Sequence, residues 1–199
     1  MIAEILPGRW ALGLMLGVVF GVWTTTAGAS DLQSALAGLG AKRRSDIKQA
    51  VVALGTLNDP AALPALEALR DRRLRVDEIG RIYVSSEDGD TFFPALGGGP
   101  VGIDVSQLRT PRINNVVRRS LRVVIAQLQL HSSDAGVRLV AAEELNKQPQ
   151  PTLVAVLRVA FDKESDPAVR NALAVALAQM QLQSEDGKER LAAIAMIRD

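Results

Sequence analysis

The chain has 199 residues, with 23 Lys and Arg against 22 Asp and Glu, a single His and no Cys. That length suffices for one or two compact units with a real core, and a formal charge of +1 gives no global electrostatic reason to expect a nucleic-acid partner. Without cysteine, disulfides, thiolate nucleophiles and Cys-ligated zinc or iron–sulfur sites are excluded.

In chain order, the first element is an apolar run, Trp10–Trp23, preceded by Arg9 and followed by Thr24-Thr25-Thr26 and Ala27-Gly28-Ala29. A short apolar stretch with a basic flank and a small-x-small tripeptide predicts a signal peptide over residues 1–29, cleaved after Ala29. An uncleaved anchor is the alternative, but a bilayer span needs about 20 apolar residues and the run reaches that only by counting its Thr-rich tail.

Residues 30–73 read as a first helical hairpin of about 13 residues per helix. Ser45 is expected to cap a helix whose Ile47, Ala50, Val51 and Leu54 form one stripe. Asp59 caps the next, with Pro60 at the first helical position, where its missing N–H costs nothing, and Leu63, Leu66 and Leu69 on the core face.

Residues 74–115 have a different texture. Arg81-Ile82-Tyr83-Val84 has strand composition, and Glu87-Asp88-Gly89-Asp90 reads as a hairpin turn with a type I′ Asp-Gly pair. Gly97-Gly98-Gly99-Pro100 reads as a loop, and Val101, Ile103 and Val105 alternate like a further strand. The expectation is a small β-meander inserted between helices.

Helical grammar returns over 116–199. Val117, Leu121, Val124, Ile125 and Leu128 make one stripe; Asp134 caps the following helix; Pro151 opens another with Leu153, Val156, Leu157 and Ala160. Asp166-Pro167 opens a fourth carrying Val169, Leu173, Ala176, Leu177 and Met180, and Asp186-Gly187 a fifth. Sliding the chain by 52, from Val117 to Val169, also aligns Leu121 with Leu173, Ala126-Gln127 with Ala178-Gln179, Asp134 with Asp186 and Arg138 with Arg190. Such self-similarity predicts a mainly α, HEAT/armadillo-like solenoid with the β-meander inserted. Whether its unit holds two helices or three stays open at this point.

No constellation for catalysis is visible, and no cofactor or metal is expected. His131 is the single histidine, at a helix end, and the repeat puts Gln183 in its place, which marks it as a solvated terminus residue. Glu87, Asp88 and Asp90 lack the alternating ligands of an EF-hand loop, and no Gly-Lys-Ser/Thr follows Gly97–Gly99 to make a phosphate cradle. Lys42-Arg43-Arg44, Arg72-Arg73-Arg75 and Arg118-Arg119-Arg122 read as solvated basic faces. Arg138, Arg170 and Arg190 each stand four residues after a capping Asp, a spacing for local or inter-repeat pairing.

The run Asn114-Asn115-Val116-Val117-Arg118-Arg119, then Ala126–Leu130, Asp134, Val137-Arg138-Leu139 and Asp166-Pro167-Ala168-Val169-Arg170, taken with the Asp88-Gly89-Asp90 hairpin, resembles the N-terminal region of urea-type ABC transporter permeases. These belong to the branched-chain amino acid permease family. The resemblance implies a signal peptide, an exported helical-repeat region on the extracytoplasmic face of the inner membrane, and protein partners in the rest of the permease or its companion subunits. The family's transport activity lies in a membrane domain, and no segment after Ser30 here is apolar enough to span a bilayer. The chain stops at Ile197-Arg198-Asp199 without a Gly or Pro stop, so it looks like an N-terminal piece of such a permease, or a gene product cut short. The alternative is a free-standing exported HEAT-like scaffold with an unrelated partner.

Overall fold

The computed structural model describes residues 27–182 and Gly187. They fold mainly as helix, with one small antiparallel sheet. The expected leader lies outside the described residues except for Ala27–Ala29, which already form the first turn of a helix, α1 (Ala27–Gly38). This helix was not expected. Its Leu32, Leu36 and the following Leu39 share one face, and all three are buried.

The first hairpin differs from expectation in length and capping. Helix α2 (Arg44–Leu57) starts one residue before Ser45, so Ser45 lies inside its first turn and its hydroxyl donates to the Asp46 carboxylate instead of capping. At the other end Asn58 adopts a left-handed conformation, φ 51°, and returns its N–H to the Leu54 carbonyl. Asn tolerates this region better than most residues, which suits it to end the helix. The second helix is short: Asp59 and Pro60 open a 3-10 turn, Pro60–Ala62, that runs into α3 (Leu63–Arg70).

The insert is a three-stranded antiparallel meander of β1 (Leu74–Val76), β2 (Ile82–Ser85) and β3 (Phe92–Pro94). Leu74 pairs with Val84, and Tyr83 with Pro94. The β2–β3 connection, Ser86–Thr91, is closed by the Ser86 N–H donating to the Thr91 carbonyl. Only Gly89 in it has positive φ, 86°, so the expected type I′ pair is not formed. No strand forms over Val101–Val105: Val101 makes an isolated bridge to Phe92, after which the Asp104 carboxylate takes the Ser106 N–H at 2.9 Å and turns the chain into a 3-10 turn, Val105–Gln107. Arg109 then bridges back to Val76, each N–H donating to the other's carbonyl at 2.9 Å.

Asn114 accepts the Val117 N–H and starts α4 (Asn115–Gln129), followed by α5 (Ala135–Lys147), a Pro151–Leu153 3-10 turn, α6 (Val154–Lys163) and α7 (Pro167–Leu182). The shift of 52 carries α4 onto α7 and spans three helices. The order within α2–α3–α4 and α5–α6–α7 is also the same: the middle helix is short and is opened by a proline 3-10 turn. Gly187, beyond α7, is helical, whereas Asp186, Arg190 and the last helical stripe lie outside the described residues.

Helix α4 sits between two apolar cores. Val117, Leu121, Val124, Ile125 and Leu128 join residues of α1, α2, α3 and the sheet. Val123, Ala126 and Leu130 join α5, α6 and α7. Complete burial of a leucine such as Leu121 or Leu128 contributes roughly 1.5–3 kcal/mol each, so α4 anchors both halves. The helices approach closely where side chains are smallest. A Cβ on Gly38 would lie 2.8 Å from the Ala50 Cβ, and one on Gly55 would lie 2.9 Å from the Val124 Cγ2.

Candidate interaction site

Three of the four expected caps are described, and each carboxylate accepts backbone N–H groups. Asp59 takes Ala61 at 2.9 Å, Asp134 takes Gly136 at 2.7 Å, and Asp166 takes Ala168 and Val169 at 2.9 and 3.1 Å. These bonds satisfy donors that a helix start otherwise leaves orphaned. They also set where the two arginines that follow begin.

Neither arginine pairs with its own capping Asp. Arg138 reaches across to Glu164 in the α6–α7 connection, its Nε and terminal nitrogen donating to the two carboxylate oxygens at 2.7 and 2.8 Å. Its remaining terminal nitrogen donates to the carbonyls of Ser132 and Ser133 at 2.9 and 3.1 Å. One side chain therefore ties the α4–α5 turn to the α6–α7 turn. Arg170 instead stacks on the Phe161 ring, 4.0 Å from its centroid, and donates to the Phe161 carbonyl at 2.8 Å.

Glu164 is the residue that sequence reasoning missed. Its side chain is only 5% exposed and also accepts the N–H groups of Ser165 and Asp166 at 3.0 and 2.8 Å. The Arg138 hydrogen bond, more than any other contact, pulls its carboxyl down to about 2. A signal was present locally: Glu164 stands two residues before Asp166, as Ser132 stands two before Asp134, and Ser132 likewise accepts its Asp N–H.

Beside this pair, two adjoining clefts of about 410 and 390 Å³ run over α4, between the end of α2 and α6, and share Val156. Val52 and Val159 stand about half exposed on either side. Gln127 lies in the floor, donating its amide to the Gly55 carbonyl at 2.7 Å and to the Asn58 side chain at 3.1 Å. Exposed His131 stands at the rim with Arg138 and Glu164. An apolar floor with polar groups at the edge can seat a segment of another chain.

The other residues weighed in the sequence are dispersed. The Asp88 carboxylate accepts from the Ser86 hydroxyl and the Asp90 N–H within the hairpin loop, and Gly97 and Gly98 hold positive φ in a loop. Arg73 donates to the Ser85 carbonyl, Arg75 to the Arg72 carbonyl, and Arg122 approaches Glu144 at 3.9 Å. Lys42, Arg44, Arg72 and Arg118 line one cleft with Arg109 and Arg112. Among the described residues no three His, Cys, Asp or Glu side chains are grouped as metal ligands, and no helix is long and apolar enough to cross a membrane. Compared with protein-family models, curated proteins and solved structures, the chain matches none of them.

Proposed function

We infer that this chain is a non-catalytic, exported helical-repeat module, the extracytoplasmic region of a urea-type ABC transporter permease. In this reading it supports uptake of urea, or of a related small amide or amino acid, through contacts with the rest of the permease or its companion subunits. The shared order of the two helix triplets supports a HEAT/armadillo-like solenoid whose unit holds three helices. The observation that carries the binding role is the groove over α4, bounded by the half-exposed Val52 and Val159 and walled by elements from both triplets. The transporter assignment rests on the order of the β insert and the Asn-Asn-Val-Val-Arg-Arg and Asp-Pro-Ala-Val-Arg motifs that follow it, and export rests on the apolar run Trp10–Trp23.

The test places a photocrosslinking side chain at Val159 in the full chain, in cells that import urea. Crosslinking to a transporter subunit, with slower uptake of labelled urea when the chain is deleted, is the expected result. Unchanged urea uptake without any crosslink to a transporter subunit overturns the reading and leaves the free-standing scaffold.

A further inference from the structure

The three basic clusters, separate in sequence, meet in space. Lys42 and Arg44 come from the start of α2, Arg72 from the end of α3, Arg109 and Arg112 from the segment after the sheet, and Arg118 from α4. Together they line a cleft of about 760 Å³ that no carboxylate lines. Among the described residues none of the six has an ion-pair partner, in a chain whose formal charge is only +1. We propose that this cleft binds a phosphate-class oxyanion, an activity independent of the transport reading.

Two further features point the same way. Two helix starts, each the positive end of a helix dipole, carry these cations, although anions are the favoured charge there. Arg43 occupies the N-cap of α2 without a side-chain capping bond, and α4 has no acid in its first turn. The single acid in the first turn of α2, Asp46, accepts from the Ser45 hydroxyl and does not line the cleft.

The second feature is Arg72 itself. Its φ is +60°, in the left-handed region where a helix normally ends on glycine. The following Arg73 N–H closes the end of α3 on the Ala68 carbonyl at 2.7 Å, and Arg75 holds the Arg72 carbonyl at 2.7 Å. Glycine would adopt this conformation without strain; arginine accepts the strain and delivers a guanidinium to the cleft. Arg109 is fixed as well, by its donation to the Gly40 carbonyl and by its bridge to Val76.

Guanidinium groups present forks of N–H donors that match tetrahedral oxyanions, and their charge persists at any physiological pH. No aromatic side chain lines the cleft for a base to stack on, which separates the site from a single-stranded nucleic-acid groove. Inorganic phosphate, diphosphate and a phospholipid headgroup share the required chemistry.

The test titrates the full chain with inorganic phosphate and with pyrophosphate by calorimetry and thermal shift, against chloride at equal ionic strength. Both anions should bind and raise Tm beyond the chloride control. Arg112→Gln should weaken pyrophosphate binding roughly tenfold, the loss of one charge-assisted contact. Arg72→Gly should weaken it similarly while raising the ligand-free Tm, a pairing that a purely structural arginine would not give. Arg158→Gln, on an exposed position of α6, should leave binding unchanged. Cosedimentation with phosphatidate vesicles, abolished by pyrophosphate and by Arg112→Gln, would name a headgroup as the source of the same anion. No binding above the chloride control, affinities indifferent to Arg72→Gly and Arg112→Gln, or vesicle binding that pyrophosphate does not displace would each overturn the proposal.

Discussion

Between α3 and α4 the chain travels from Asp71 to Asn114 and builds a sheet on the way, whereas between α6 and α7 it turns through Glu164, Ser165 and Asp166 alone. The long connection pairs Arg81 with Asp77 at 2.7 Å, yet it treats its other arginines unlike the short one. In the short one, Arg138 arrives from a neighbouring helix and meets a nearly buried carboxylate. In the long one, cations converge on a cleft that no carboxylate lines. The lesson is that this fold can neutralise an arginine with one well-placed Glu, so a cleft of cations without carboxylate partners is not a forced by-product of packing helices.

The comparison assumes that both triplets hang on α4, and the largest expected effects test that. Leu121→Ala in the first core and Leu177→Ala in the second, both completely buried, should each cost about 2–5 kcal/mol. Because α4 lines both cores, urea unfolding followed by helical circular dichroism and by the NMR signals of Tyr83, which is in the first half, should stay coincident in both variants. Separated transitions would show that the triplets are independent units.

Glu164→Ala should cost about 2 kcal/mol, since it leaves Arg138 without its carboxylate in a largely buried place. The pH dependence follows from the depressed carboxyl. A group whose folded value, about 2, lies below its unfolded value stabilises the fold above the unfolded value. That stabilisation is fully present above roughly pH 5 and is lost as pH falls toward 2. Acid unfolding curves of Glu164→Gln should lack this component, while Arg112→Gln should retain it.

Gly55→Ala sharpens the contrast between local and tertiary preference. Alanine in a helix interior is favoured over glycine by up to about 1 kcal/mol, yet the added methyl would press on the stiff Val124 side chain. The net expectation is a loss of about 1 kcal/mol by denaturant titration; a gain would mean α2 and α4 can separate cheaply. Asp166→Ala should cost about 0.5–2 kcal/mol, as removal of a cap does. His131→Gln, at an exposed position, should change stability by less than about 0.5 kcal/mol.

Much of the fold was legible because its signals are short-range. The stripes Ile47–Leu54, Val117–Leu128 and Val169–Met180 follow helical spacing, and their faces are buried as drawn. A capping Asp acts within three residues of itself, so Asp59, Asp134 and Asp166 could be placed from local sequence. Leu74 opens β1 where the sequence places the start of the insert, and α4 opens at Asn115, one residue inside its expected end. Local rules failed where two local interactions compete, as at Val101–Val105, where a carboxylate turns the chain before alternation can build a strand.

What the tertiary structure decided is everything that depends on which helix lies beside which. A shift of 52 sets Gln127 on Gln179, but Gln127 is buried against α2, 72 residues from the carbonyl it binds, and Gln179 is exposed. Glu164 reaches Arg138 across 26 residues, and Arg109 reaches Gly40 across 69. Periodicity reports that a face is apolar; it carries no information on what covers that face, nor on which charges the covering brings together. Those follow from close packing, where the absent side chains of Gly38 and Gly55 let helices approach and so fix the positions of residues far away in the chain.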